Sequence, residues 1–152
     1  MKNRDCRAAF ERRVIPKGGA AVGGLPMHLR VGLRGEQFAA RLLRKKGYLL
    51  LGSNYHTSLG ETDIIAYDPK GRMLCFVEVK TRSPGALNPP AVAVDAEKRR
   101  KLINNAAAFL KRMKLPYSGV RFDIAEVILN DWYDAKVNLI ENAFGEDAFG
   151  LD

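Results

Sequence analysis

The chain has 152 residues, of which 47% are hydrophobic and 28% are charged, and this predicts one soluble domain with a substantial core. No apolar run approaches membrane-spanning length, the N-terminus lacks the apolar segment of a secretory signal, and two cysteines give no disulfide framework, so we expect a cytoplasmic protein with no membrane partner. The net charge of +8 predicts a polyanionic partner, with nucleic acid as the first candidate.

The first part of the chain divides into a basic extension and the start of a domain. Residues 1–27 are predicted to be a flexible basic N-terminal extension, because "KGGAAVGGLP" is rich in glycine and lacks periodicity. Residues 28–152 are predicted to form a single domain. Its first element is a helix over residues 28–47, with apolar residues at helical spacing and a final glycine after three basic residues. Glu36 lies at the edge of the apolar stripe of this helix.

Five strands and a second helix are predicted after the first helix. The strands are expected over residues 48–55, 61–68, 72–82, 121–129 and 136–144. The sequence "DPKG" predicts a turn that joins the second and third strands in a hairpin. Asp95 is a candidate N-cap for the helix between the third and fourth strands. This order predicts an α/β protein with a mixed β-sheet of about five strands flanked by helices.

The predicted hairpin brings acidic residues of two strands together. If the turn is symmetric about its Pro-Lys dipeptide, Asp63 pairs with Phe76, and Glu61 pairs with Glu78. Alternation along the strands then places both of those glutamates, Asp63 and Lys80 on one face of the sheet. Carboxylates this close repel each other, so the arrangement requires a compensating charge.

A divalent cation would relieve this repulsion. Mg²⁺ and Mn²⁺ prefer oxygen ligands, which Asp63, Glu78 and the carbonyl of Val79 could supply. Lys80 could position an attacking water or stabilise a phosphate in the transition state. The alternative is that Lys80 forms a salt bridge with one of these acids and has no catalytic role. Lys98 lies on the buried stripe of its helix, where it either reaches the site or a phosphate, or extends along the surface towards solvent.

A series of motifs links this site to a known family. The chain contains, in order, "GLRGEQFAARLLRKKGY", "GETDIIAYD", "FVEVKTR", "RFDIAEV" and "IENAF". Over residues 28–144 it resembles the YraN-like family of uncharacterised proteins. The resemblance implies a restriction-endonuclease-like fold with a PD-(D/E)xK core. It also implies nuclease activity of the kind predicted for this family, which is similar to archaeal Holliday-junction resolvases.

The resemblance also implies roles for individual residues. Asp63 and Glu78 match the two metal-binding acids, and Lys80 matches the catalytic lysine. Glu36 matches the helix acid that assists metal binding. The implied cofactor is Mg²⁺ or Mn²⁺. Glu61 belongs to the family's G-E-x-D stretch without an assigned role.

Three functions remain open at this stage. The first is a metal-dependent endonuclease that cleaves DNA, branched or flapped DNA in particular. The second is a non-catalytic nucleic-acid-binding module, and the third is an interaction protein that forms a homodimer through the acidic residues 131–152. DNA is favoured over RNA as the partner, and the candidate nucleic-acid contacts are Arg34, Arg82 and Lys98.

Overall fold

A computed structural model gives the structure of the chain and describes residues 24–85, 95–114 and 116–144. The elements within these ranges are, in chain order, α1 (Met27–Lys45), β1 (Leu49–Thr57), β2 (Gly60–Asp68), β3 (Met73–Arg82), α2 (Ala96–Arg112), β4 (Gly119–Leu129) and β5 (Ala135–Phe144). The strands form a five-stranded sheet in the order β1-β2-β3-β4-β5. Only the β3–β4 pair is parallel, because the chain crosses back through α2 between these strands.

This architecture confirms the predicted α/β class, with a mixed sheet of five strands flanked by helices. It is consistent with a restriction-endonuclease-like fold. Residues 1–23 of the predicted N-terminal extension and residues 145–152 lie outside the described residues, so the division into an extension and a single domain stays a prediction. Neither α1 nor α2 is long and apolar enough to cross a membrane.

The helices pack against opposite faces of the sheet. Cys75 and Val77 of β3 share a buried cluster with α1, whereas Leu74 and Phe76 share one with α2. This division follows from the alternation of side chains along a strand. The central strand is therefore buried on both faces, as its nearly continuous apolar sequence predicts.

Local signals in the sequence mark the start of α2 and the end of α1. Asp95 Oδ1 accepts a hydrogen bond from the Lys98 amide at 2.8 Å, which confirms the predicted N-cap of α2. After the last residue of α1, Gly47 adopts a φ of 90°, a conformation that glycine tolerates better than other residues. A side-chain cap therefore sets the start of α2, and a glycine conformation sets the end of α1.

The register of the β2–β3 hairpin differs from the predicted one by two residues. Phe76 pairs with Ile65 rather than with Asp63, because the turn occupies residues 69–72 instead of two residues. Arg72 closes this longer turn with a left-handed φ of 54°. The sequence "DPKG" was therefore correctly predicted to form a turn, but the pairing derived from a symmetric turn is wrong.

The corrected register brings the two principal acids closer together. A shift of two residues does not change the face that alternation assigns to a side chain. If the register is continued past its last pair, Asp63 lies directly across from Glu78 instead of diagonally. The same shift moves Glu61 away from Glu78, so their predicted pairing is also wrong. On its other side Glu61 pairs with His56 of β1.

Candidate functional site

The candidate site lies where β2 and β3 separate. The described pairs between these strands end at Ile64 and Val77. In the next position, Asp63 Oδ2 accepts a hydrogen bond from the Val79 amide at 2.7 Å. The carboxylate thus occupies a place where a strand carbonyl would otherwise accept this bond. The negative charge of Glu78 acts on Asp63 across the gap.

Glu78 is a buried carboxylate held by two lysines. Only 5% of the residue is exposed. Its Oε1 atom lies 3.4 Å from Nζ of Lys80, on the same strand, and 3.4 Å from Nζ of Lys98, on α2. Its Oε2 atom is buried, and no described residue donates a hydrogen bond to it. Since a buried polar atom without a partner is costly, this oxygen is a candidate metal ligand.

Burial and neighbouring acids raise the pKa of Asp63 and of Glu36. Burial, followed by the charge of Glu78, raises the pKa of Asp63 from 3.8 to about 7, although the hydrogen bond from Val79 opposes the shift. Burial likewise raises the pKa of Glu36, against a lowering by its hydrogen bond from Asn54. A carboxyl with a pKa near neutrality, beside a second acid, is typical of functional sites.

Glu36 reaches the site from α1 through a close helix–strand approach. A Cβ atom on the neighbouring Gly35 would overlap the side chain of Thr81, so only glycine permits this packing. Asn54 Nδ2 donates a hydrogen bond to Glu36 Oε2 at 3.1 Å. The charges of Glu78 and Glu61 both act on Glu36. The structure therefore brings Glu36 to the same region as the two strand acids.

Glu61 lies at the exposed rim of the site. Its Oε2 atom lies 3.2 Å from Nδ1 of His56, and both side chains are more than half exposed. His56 lowers the pKa of Glu36 through its charge. Glu61, the glutamate of the G-E-x-D stretch, thus contacts His56, and this contact was not predicted from the sequence.

A buried polar network beneath α2 fixes the turn that precedes Asp63. Asn105 is fully buried and donates to Thr62 Oγ1 at 2.9 Å and to the carbonyl of Tyr55 at 3.1 Å. Thr57 Oγ1 donates to Asn105 Oδ1 at 2.6 Å. Thr62 is a polar residue at a fully buried strand position, and its bond with Asn105 satisfies its hydroxyl there.

The three candidate nucleic-acid contacts all interact within the protein. Arg34 donates from Nε to the carbonyl of Trp132 at 2.7 Å and stacks over that residue's ring. Arg82 Nη1 lies 3.4 Å from Glu126 Oε1, and Lys98 binds Glu78 as described above. Lys98 is therefore at the site, whereas Arg34 attaches the β4–β5 turn to α1. Their contact with nucleic acid stays a prediction.

The site offers one buried and one half-buried acid rather than a complete metal cage. Among the described residues, no three His, Cys, Asp or Glu side chains are arranged to hold a metal ion together. Mg²⁺ and Mn²⁺ require only one or two carboxylates when water and substrate phosphate complete the coordination. Asp63 and Glu78 fit that requirement, because Glu78 Oε2 has no hydrogen-bond partner among the described residues. Glu36 lies near them.

Asn54 and Asn105 were not predicted from the sequence, and only Asn105 leaves a signal there. Asn54 adopts a φ of 49° within β1, a conformation in which asparagine is enriched. Asn105 interrupts the apolar stripe of α2, where a buried polar side chain needs partners. Their partners lie on elements distant in sequence, so the contacts themselves were not predictable.

Comparison with known proteins agrees with the motif pattern. Residues 35–127 match the model of a family described as "Uncharacterised protein family UPF0102". The matched region includes all four site residues, Glu36, Asp63, Glu78 and Lys80.

Curated relatives carry the same family name. A UPF0102 protein of Alkaliphilus metalliredigens is 42% identical over 118 residues, which cover 78% of this chain and 100% of the relative. Another from Pelobacter propionicus is 39% identical over 119 residues, covering 78% of this chain and 85% of the relative. A third, from Trichlorobacter lovleyi, is 38% identical over 131 residues, covering 86% and 95%. The chain therefore belongs to the UPF0102 family, the YraN-like family that its motifs resemble.

Proposed function

We propose that the chain is a metal-dependent endonuclease that hydrolyses phosphodiester bonds in DNA. The observation that carries the proposal is Glu78. It is a buried carboxylate beside a second acid, with one oxygen held by two lysines and the other without a partner among the described residues. Such an arrangement costs stability in the protein alone, and a hard cation would offset the cost.

The residues that would hold the ion are the paired acids. Asp63 and Glu78 would bind Mg²⁺ or Mn²⁺ together with the carbonyl of Val79, and Glu36 would assist from α1. When bound, the ion supplies Lewis-acid activation of water and neutralises charge on the phosphate. Asp63 must be deprotonated to act as a ligand, and its pKa of about 7 leaves it available at neutral pH and above.

Two lysines supply the positive charge that the reaction needs. Lys80 is 39% exposed at its side chain, so its ammonium can donate to the attacking water or to a phosphate oxygen as charge develops. Lys98 contacts the same Glu78 oxygen from α2 and positions that carboxylate. Both contacts also fit the simple salt-bridge interpretation, and only kinetics separates the two roles.

Branched or flapped DNA is the proposed substrate. This choice comes from the family's similarity to archaeal Holliday-junction resolvases, and the net charge of +8 favours a polyanion. The test is cleavage of flapped, branched, single-stranded and duplex DNA with Mn²⁺ and with a chelator. We expect cleavage that requires the ion and that is lost in both Asp63→Asn and Glu78→Gln.

The matched control is Glu97→Gln, because Glu97 is an exposed acid on α2 that pairs with Lys101 and not with the site. It should cleave as the unmodified protein does. Cleavage that persists in both site variants would overturn the assignment of the acids.

A non-catalytic nucleic-acid-binding module is the second candidate. It is favoured by the contacts of Lys80 and Lys98 with Glu78, which give this acid a structural role that needs no ion. In this case DNA binding falls steeply with salt, needs no divalent ion, and is not accompanied by cleavage. Binding that strengthens on adding Mn²⁺, and that loses this response in Glu78→Gln, would reject it.

A further inference from the structure

We infer that one strand of the DNA substrate crosses the sheet from the acid site towards β5, and that Lys136 and Asn138 contact its phosphates. The inference rests on the proposed function, since it names the path of the same substrate. It adds a second contact region on β5, a strand to which none of the three candidate nucleic-acid residues belongs.

The strand registers connect this region to the site. Alternation along β3 puts Glu78, Lys80 and Arg82 on one face of the sheet. Two rows of paired residues continue across that face, Lys80 with Glu126 and Asn138, and Arg82 with Ile128 and Lys136. Each row ends two strand spacings, about 10 Å, from β3. A chain of phosphates that passes Lys80 can therefore reach β5 directly.

A groove follows these rows. It has a volume of about 340 Å³, and its lining residues are Glu126, Ile128, Lys136, Val137 and Asn138. Its nearest wall, Glu126, pairs with Lys80 of the catalytic motif. The groove thus begins one strand away from Lys80 of the candidate site.

The charges along the groove suit a phosphate backbone. Glu126 is the lining acid, and Arg82 lies 3.4 Å from it and offsets its charge. Lys136 is exposed and forms no ion pair within the described part of the chain. Asn138 is also exposed, and its amide can donate to a phosphate oxygen. Cations at Lys80 and Lys136 then lie at opposite ends of the path.

The test compares matched charge changes by fluorescence anisotropy. Lys136→Glu and Asn138→Asp are compared with Lys111→Glu and Asn104→Asp, which change exposed residues of α2 in the same way. The probe is a fluorescein-labelled single-stranded DNA in the presence of a chelator, so that cleavage does not interfere. All four sites are exposed, so folding should be unchanged, and thermal unfolding checks this.

We expect Lys136→Glu and Asn138→Asp to weaken binding several-fold more than their controls, and neutral Lys136→Gln to reduce the salt slope by about one. Equal effects at groove and control sites would overturn the inference while leaving the nuclease proposal intact, provided that the unmodified protein cleaves with Mn²⁺. If the unmodified protein neither binds nor cleaves DNA, the proposed function is wrong and the groove inference falls with it.

Discussion

At the scale of single residues, ionisation of Asp63 lowers the stability of the folded protein. Its folded-state pKa of about 7 lies above its ordinary value of 3.8. Between these values the folded state binds more protons than the unfolded state, so stability falls as pH rises from about 4 to about 7. Above that range the folded protein carries the full cost of an ionised, partly buried carboxylate beside Glu78.

We therefore predict that Asp63→Asn stabilises the metal-free protein, and more so at high pH. The amide does not titrate and avoids repulsion from Glu78. Thermal unfolding with a chelator should give a larger rise in Tm at about pH 8 than at about pH 5. A change in Tm that is the same at both pH values would show that the carboxyl of Asp63 is not perturbed in the folded state.

At the scale of secondary-structure elements, α1 reaches the site because of one glycine. Gly35 packs on Thr81, and this close contact places the next residue, Glu36, near the strand acids. Gly35→Ala should lower the free energy of unfolding by ~1–3 kcal/mol, the usual cost of overpacking, and should reduce cleavage by displacing Glu36. Denaturation in urea and the cleavage assay measure the two effects.

Gly32 supplies the control within the same helix, because a Cβ there meets no atom within 4 Å. Gly32→Ala should instead stabilise by ~0.5–1 kcal/mol through helix propensity. In a Gly35→Ala background, Thr81→Ala should restore part of the lost stability. Similar effects for both glycine substitutions would mean that the close approach is not a constraint.

A buried ion pair joins β4 to its neighbours on the α1 face. Asp123 is fully buried and accepts hydrogen bonds from Arg121 Nε at 2.9 Å and from the Asn142 amide at 2.9 Å. Arg121 also donates from Nη2 to Tyr48 Oη at 2.7 Å. The motif "RFD" thus has a structural role, holding β4, β5 and the start of β1 together.

We predict that Arg121→Met destabilises by ~3–5 kcal/mol, because it leaves the Asp123 carboxylate buried without its charge partner. The double variant with Asp123→Asn should recover part of this loss. Chemical denaturation of the two variants measures the difference. A single variant as stable as the unmodified protein, or a double variant less stable than the single one, would contradict this account of the pair.

The same elements show what the sequence could and could not predict. The start of α2 and the end of α1 followed from local signals at Asp95 and Gly47, and the succession of helices and strands along the chain followed from periodicity. The hairpin register did not, because the left-handed Arg72 lengthens a turn whose sequence is also compatible with a shorter one. An error of two residues does not change the face that alternation assigns to a strand residue.

At the scale of the whole molecule, the site is assembled from four elements. Glu36 lies on α1, Asp63 on β2, Glu78 and Lys80 on β3, and Lys98 on α2. Periodicity and alternation could predict the two strand acids as neighbours. They could not predict the Lys98–Glu78 contact or the Asn54–Glu36 bond, because both depend on how the helices pack on the sheet.

The overall charge of the protein and the charge of its candidate site act on DNA in opposite directions. The net charge of +8 attracts DNA, whereas Asp63 and Glu78 repel its phosphates. A bound divalent cation would reverse the local charge and remove this conflict. The central claim of the account is therefore that these two acids bind Mg²⁺ or Mn²⁺ together.

Calorimetric titration with Mn²⁺ tests this claim most directly. The unmodified protein and Glu97→Gln should bind the ion with equal heats, and both Asp63→Asn and Glu78→Gln should lose that binding. Below a pH of about 7 the heat should also depend on the buffer, because binding releases the Asp63 proton. Heats that are unchanged in both site variants, or no binding to the unmodified protein, would contradict the claim.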